Sequence, residues 1–327
     1  MPAEWEPHER TLMAWPCRRE LWDGRLEAAK AESAGVANAV AAFEPVTMVT
    51  GSPADAAEAR AACAEAVEIV ELPIDDSWMR DSGPIFVVDD PGRPTRRAGV
   101  HFRFNAWGEK FEGFERDAAI GGLLAQRLGD VVEAPLVLEG GSIAVDGTGT
   151  LLTTEQCLLH PNRNPQLDRD GIEQLLREYL GVRRVVWLGR GLVEDRDTDG
   201  HVDLIAAFTA PGTVLLQSAP EGSPNHDNMA ENRERAMAAG LEVIDFPPLA
   251  YTSVAGEEIV ASYLNFYLGD RFVVVPVAGQ PELDEEALAR IGDAYPGKEV
   301  IGVPGVVHAS GGGGPHCITQ QVPALAA

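Results

Sequence analysis

Apolar positions along the chain alternate between two periods. In "DRDGIEQLLREYLG", Ile172, Leu175, Leu176, Tyr179 and Leu180 fall on one helical face, with Asp168 or Asp170 as cap and Gly181 as stop. Helical spacing also marks the alanine-rich stretch from about Leu26 to Phe43, and "ADAAEARAACAEA", "ERDAAIGGLLAQRLG", "NMAENRERAMAAG" and "LDEEALARIGDAY". After nearly every helix comes one short β-branched run: "VEIVELP", "VVEAPLVLE", "VRRVVWLG", "LEVIDFPP" or "KEVIGVP". A loop then leads to two strand-like runs joined by turn residues, as in "EGGSIAVDGTGTLLTT" and "HVDLIAAFTAPGTVLLQS".

The order helix, strand, loop, hairpin therefore recurs. The hairpins start at Asp81, Glu139, His201 and Asn265, and Cys317 opens a last run, "CITQQVP", so that the gaps are 58, 62, 64 and 52 residues. The C-terminus cuts the last unit short, and the N-terminal "TLMAWP" with "PVTMVT" can complete it. Pairing the first and last strands removes sheet edges. The pattern predicts an α/β ring of five ββαβ-type units formed by residues 1–327 as one domain. An open doubly wound sheet is the competing fold, but no GxGxxG or Walker sequence follows a strand.

Composition narrows the partners. At 327 residues and 45% hydrophobic content the chain can bury a substantial core. A formal charge of -25 repels phosphate backbones and anionic lipid, so neither nucleic acid nor membrane is expected. No apolar run reaches membrane-spanning length, and the N-terminus lacks the order of a signal peptide, which makes a cytoplasmic protein the expectation. Cys17, Cys63, Cys157 and Cys317 lack CxxC spacing and read as reduced thiols.

In such a ring the loops at one end converge on the axis and carry Asp81, Glu139, His201, Asp203 and Cys317. Cys317 follows four consecutive glycines, Gly311 to Gly314, which allow close approach of the backbone to a ligand. Cys63 in a helix pattern and Cys157 in the strand region "TTEQCLL" read as small apolar fillers. His201 and Asp203, two apart in an extended segment, would face the same side. A histidine, a thiol and carboxylates could hold zinc, but no HExxH, HxH or CxxC is present. Opposed carboxylates without a metal need another cation between them, and a planar guanidinium can donate a pair of N–H bonds to each. Its charge would also favour the thiolate of Cys317 and polarise the central carbon.

"EWEPHERTLMAWP", "DDSWMRDSGP", "LEGGSIAVDGTGTLLTTEQCLL", "TDGHVD", "ASYLNFYL" and "GGGGPHCITQQ", in this order from Glu4 to Gln321, resemble the agmatine deiminases of the guanidino-modifying (pentein) superfamily. The resemblance implies a five-bladed α/β propeller, a homo-oligomer, no metal or organic cofactor, and hydrolysis of agmatine to N-carbamoylputrescine and ammonia in putrescine and polyamine synthesis. It places Cys317 as nucleophile, His201 as general acid and base, and Glu139 as its orienting group. It also places Asp81 and Asp203 on the guanidinium and Trp78 along the methylenes. The family's Gly-Gly-Gly-Asn-Ile-His-Cys has Gly314 and Pro315 in place of Asn and Ile here, and Leu204 stands where asparagine is usual. Deimination of arginine, peptidyl arginine or methylated arginine, amidino transfer, and guanidine binding without turnover are the alternatives. His316 is expected to shape the loop or stand by, and His8, His101, His160, His226 and His308 to be structural or on the surface.

Overall fold

The structure is a computed structural model and describes residues 1–326. Five sheets share one plan. In the second to fifth, two antiparallel strands are followed by a helix and a third strand parallel to the second. The first sheet joins β1 (His8–Ala14), β2 (Val46–Thr50) and β3 (Val67–Glu71). The second holds β4 (Ile85–Val88), β5 (Arg97–Arg103) and β6 (Asp130–Val137), and the third β7 (Ile143–Val145), β8 (Thr150–Thr154) and β9 (Arg184–Leu188). The fourth holds β10 (Ala206–Ala210), β11 (Thr213–Gln217) and β12 (Glu242–Phe246). A separate hairpin, β13 (Ala250–Val254) with β14 (Glu257–Ala261), precedes the fifth sheet of β15 (Tyr267–Leu268), β16 (Phe272–Val277) and β17 (Glu299–Pro304). The last strand, β18 (Thr319–Pro323), returns to the first sheet and runs antiparallel to β1, with Leu12 opposite Gln320.

Alternation along the middle strands closes the ring. In β8, Leu151 packs with Val100 and Leu136 of the second sheet, while Leu152 packs with Phe208 and Val214 of the fourth. In β11, Leu216 faces the third sheet and Leu215 the fifth. Val273 and Val275 of β16 pack against the fourth sheet, whereas Val274 meets Met13 and Met48 of the first. Leu12, Ala14 and Val49 then join Phe86 of the second and Leu124 of the helix Glu115–Leu128 that follows β5. Each sheet thus buries both faces against two neighbours, which gives the five-bladed α/β propeller expected from the sequence. A buried leucine or valine contributes roughly 1.5–3 kcal/mol here, so the blades hold one another through the hydrophobic effect rather than through shared ladders.

Local signals were read as the chain uses them. The helix Arg169–Leu180 is capped by Asp168, whose carboxylate accepts from the Gly171 N–H (2.9 Å), and stops at Gly181 with φ 68°. Its buried residues are Ile172, Leu176 and Leu180. Three local expectations need correction. Cys157 lies in a one-turn helix, Glu155–Leu158, because the Thr154 hydroxyl caps it and ends β8. Residues Val202–Leu204 form a 3-10 turn and not an extended segment. The β13–β14 hairpin had no counterpart in the predicted elements. None of the helices described is long and apolar enough to cross a membrane.

Candidate active site

Short turns, one ahead of the first strand of each blade, carry the polar side chains at the ring's axis. Asp81 lies in the helical turn Met79–Ser82 before β4, and Glu139 precedes the turn Gly140–Ser142 before β7. His201 and Asp203 flank Val202 ahead of β10, Asn265 precedes β15, and Cys317 precedes β18. A turn exposes its N–H groups and side chains where a strand would spend them on its ladder. The sheets therefore supply the frame and the turns supply the chemistry.

The structure brings together five of the six residues singled out. A β-carbon on Gly141 would lie 2.6 Å from His201 Nδ1, 2.9 Å from Asp203 Oδ2 and 3.0 Å from Asp81 Oδ1, so all three surround one point. The Cys317 thiol donates to Asp203 Oδ2 at 3.4 Å. Glu139 Oε2 stands 3.9 Å from His201 Nε2 and Asp81 Oδ2 stands 4.0 Å from Nδ1, distances of ion pairing and not of direct hydrogen bonds. Trp78, the sixth, lines the approach: a cavity bounded by Asp81, Cys317, Trp78, Trp107, Phe111 and Asp197 leads to the thiol. Trp78 is itself stacked on Trp22, with ring centres 5.7 Å apart.

The glycine run answers a packing demand. A β-carbon on Gly313 would come within 2.7 Å of both Cys317 Cβ and the Trp78 ring, and Gly312 holds φ at 100°. Only a chain without side chains can fold under the thiol here.

Electrostatics sets the resting protonation. Burial raises the Cys317 thiol well above its ordinary pKa, and the charges of Asp203 and Asp81 raise it further. Burial alone would lower the pKa of His201, but the Asp81 charge, with Cys157 and Glu139, carries it well above the usual histidine value. The two carboxylates nearest the thiol diverge. Asp81 is raised by burial, with His201 only partly offsetting it, whereas for Asp203 burial is outweighed by the hydrogen bond and charge of His316, which lower its pKa. Burial would raise Glu139 too, yet the Arg163 guanidinium lowers it.

Several supporting residues escaped the sequence reading. Arg163, wholly buried, donates from Nε to Glu139 Oε1 (2.6 Å), from Nη1 to Asp199 Oδ2 (2.7 Å) and from Nη2 to the Thr198 carbonyl (3.0 Å). The Trp107 indole donates to Asp81 Oδ2 at 2.9 Å while its backbone sits at φ 56°. His316 is no bystander: it bridges Asp203 Oδ2 and Glu4 Oε1, both at 2.8 Å. Asn265 Oδ1 accepts the Cys317 N–H at 3.3 Å, and Arg80 fastens the thiol's loop to the Asp81 turn through its own N–H to the Cys317 carbonyl and through Nε to the His316 carbonyl. His308 is structural, held by Glu32 and Ser33. Proximity of "NRNP" to "LEGG" is tertiary, so spacing held no sign of Arg163. The hairpin count did mark Asn265 as the start of a unit.

A family model for the Porphyromonas-type peptidyl-arginine deiminases matches residues 1–323. The chain belongs to this family. Among its relatives, the agmatine deiminase of Stutzerimonas stutzeri (strain A1501) is 40% identical, the alignment covering 99% of this chain and 95% of the relative. Two solved structures superpose closely. The agmatine deiminase of Enterococcus faecalis, described as catalysing its reaction, has a TM-score of 0.91 at 34% identity over 99% of this chain and 95% of its own. A cysteine-to-serine variant of C. jejuni agmatine deiminase with substrate bound gives 0.90 at 27%, over 100% and 96%. This family membership agrees with the resemblance carried by the sequence motifs.

Proposed function

We propose that this protein hydrolyses agmatine to N-carbamoylputrescine and ammonia, the whole chain acting as one catalytic domain. The observation that carries this reading is the placing of a neutral, buried thiol 3.4 Å from one carboxylate and in one cavity with a second. Asp203 Oδ1 is buried without a hydrogen-bond partner, and a guanidinium offers planar N–H groups to it and to Asp81. Asp81 and Asp203 take its nitrogens and fix its plane beneath Sγ.

Binding of that charge favours loss of the Cys317 proton to solvent, which burial and two carboxylates otherwise oppose. The thiolate adds to the guanidinium carbon. His201, protonated at neutral pH, gives its proton to the departing nitrogen; the C–N bond breaks, ammonia leaves, and an S-alkylthiouronium remains on Cys317. Neutral His201 then takes a proton from water as the water oxygen adds to the same carbon. Collapse breaks the C–S bond, returns the thiolate and frees the ureido product. Glu139, kept ionised by Arg163, steadies the imidazolium between these steps. Neither half-reaction needs a cofactor.

The far end of the substrate is read by the cavity walls. Trp78, Trp107 and Phe111 give apolar surface to four methylenes, and Asp197 contributes a carboxylate to the lining. Burial and the neighbouring Asp195 charge raise the pKa of Asp197, a strain that a bound ammonium relieves. No arginine or lysine lines this cavity among the described residues, so its walls offer no cationic side chain to an α-carboxylate. Agmatine is therefore favoured over free arginine. Comparing kcat/KM for the two substrates, by ammonia release, tests the reading: agmatine higher by about a hundredfold or more is expected from an unpaired buried charge, and arginine preferred would overturn it.

A further inference from the structure

Behind His201, on the one-turn helix Glu155–Leu158, lies a second thiol that the proposed reaction does not use. Cys157 is wholly buried, and its N–H bonds to the Thr154 hydroxyl, which in turn donates to the Gly200 carbonyl (2.6 Å). The Cys157 turn is thereby tied to the residue preceding His201. One donor atom each from Cys157, His201 and Glu139 lies within 4.8 Å of the others. His201 Nδ1 and Nε2 and Glu139 Oε2 are buried without any hydrogen-bond partner, although buried polar atoms are nearly always paired. Arg163 occupies Glu139 Oε1 alone and leaves Oε2 free.

We propose that Cys157, His201 and Glu139 form an inhibitory binding site for zinc-class divalent ions. The donor set is a thiolate sulfur, an imidazole nitrogen and a carboxylate oxygen, the mixture that such borderline-soft ions prefer. In a tetrahedral site these donors stand roughly 3.3–3.7 Å apart, so the side chains need to close by only about 1 Å. Coordination releases two protons to solvent, one from the Cys157 thiol, which becomes thiolate, and one from the His201 imidazolium, which becomes neutral. Thiolate and Glu139 together balance the ion's two charges. With its lone pair on the metal, His201 can neither give nor take a proton, so turnover stops while Cys317 stays untouched. Cys17 and Cys63, without such neighbours, take no part.

Inhibition rests on the proposed role of His201; metal binding does not, and the two are measured separately. Zinc chloride is titrated into the full-length C317S protein, which keeps the site but lacks the reacting thiol, and bound zinc is counted after equilibrium dialysis. One tightly held ion per chain is expected in C317S, with at least tenfold weaker binding in C317S/C157A. In protein with Cys317 intact, zinc inhibition of ammonia release, relative to each variant's own metal-free rate and reversed by chelator, should need at least tenfold more zinc in C157A than in wild type or C17A. Cobalt(II) gives a second readout that does not depend on how C157A folds: a thiolate-to-cobalt absorption band is expected in C317S. Binding lost in C317S but kept in C157A would put the metal on the other thiol and overturn the proposal, as would no binding or no thiolate band. Tight binding without inhibition would keep the site and refute its effect on His201.

Discussion

The thiol of Cys317 donates a hydrogen bond to Asp203, at 3.4 Å, so the proposed nucleophile and one arm of the proposed guanidinium clamp are bonded to each other before any substrate arrives. One carboxylate thus suppresses the free thiolate and also builds the site for the cation that releases it. D203N separates these effects. Alkylation of Cys317 by iodoacetamide at pH 8 should become faster, because a charge that raises the thiol pKa is gone. Agmatine turnover should fall by about a hundredfold or more, as misplacing the guanidinium plane costs orders of magnitude. Alkylation slowing along with turnover would show that Asp203 does not hold the thiol protonated.

Arg163 bridges Glu139 and Asp199, and its ion pair with Glu139 is fully buried. R163A strands the buried Glu139 carboxylate, whereas Asp199 keeps Lys110 at 2.7 Å, and should cost about 3–5 kcal/mol of stability in urea unfolding. R163K keeps the charge but cannot make the fork of bonds to Glu139, Asp199 and Thr198 at once. It should therefore lower kcat by about tenfold or more with little change in KM. An R163K enzyme with unaltered kcat would remove Glu139 alignment from the account.

Trp107 bonds to Asp81, the other proposed clamp residue. W107F keeps an aromatic wall but removes the indole donor to Asp81. Agmatine KM should rise several-fold, with a loss of about 1–2 kcal/mol in kcat/KM for one bond to a charged partner. Unchanged kinetics would mean that substrate displaces this bond without cost.

The raised pKa of His201 gives a pH prediction. Its imidazolium persists at neutral pH, so kcat/KM should not fall as pH rises through 6.5 and should decline only where His201 loses its proton, well above that value. The same shift makes folding weaker at high pH: the His201 contribution to stability is full below about 6.5 and is lost as pH rises through the higher folded value. In H201N both the alkaline decline and that part of the stability slope should vanish, read from the pH profile and from urea midpoints. A wild-type kcat retained across the profile would exclude His201 from proton transfer.

Most of the ring and the residues that meet at its axis were legible from the sequence because each unit repeats the same local grammar. Leu151 and Leu152, adjacent and pointing opposite ways, are both apolar, so a middle strand buried on two faces reads as a continuous run. The proposed reacting residues stand at or beside the hairpin starts, where Gly312 and Gly313 mark a backbone bent close beneath a side chain. What the sequence hid depends on distance in space. Arg163 meets Glu139 across 24 residues, and Trp107 reaches Asp81 across 26, by way of a left-handed backbone that no common turn residue announces. Cys157 was hidden by its setting: "TTEQCLL" continues the apolar run of β8, and only the Thr154 cap turns it into a helix beside His201.

Everything in the reaction proposed here passes through a covalent bond between Cys317 and the guanidinium carbon. Rapid acid quenching of the enzyme with agmatine, followed by intact-protein and peptide mass spectrometry, looks for that bond directly. The account predicts a transient added mass equal to agmatine less ammonia, located on Cys317 and absent from C317S. Steady-state turnover without any such adduct on Cys317, or turnover retained by C317S, would contradict it.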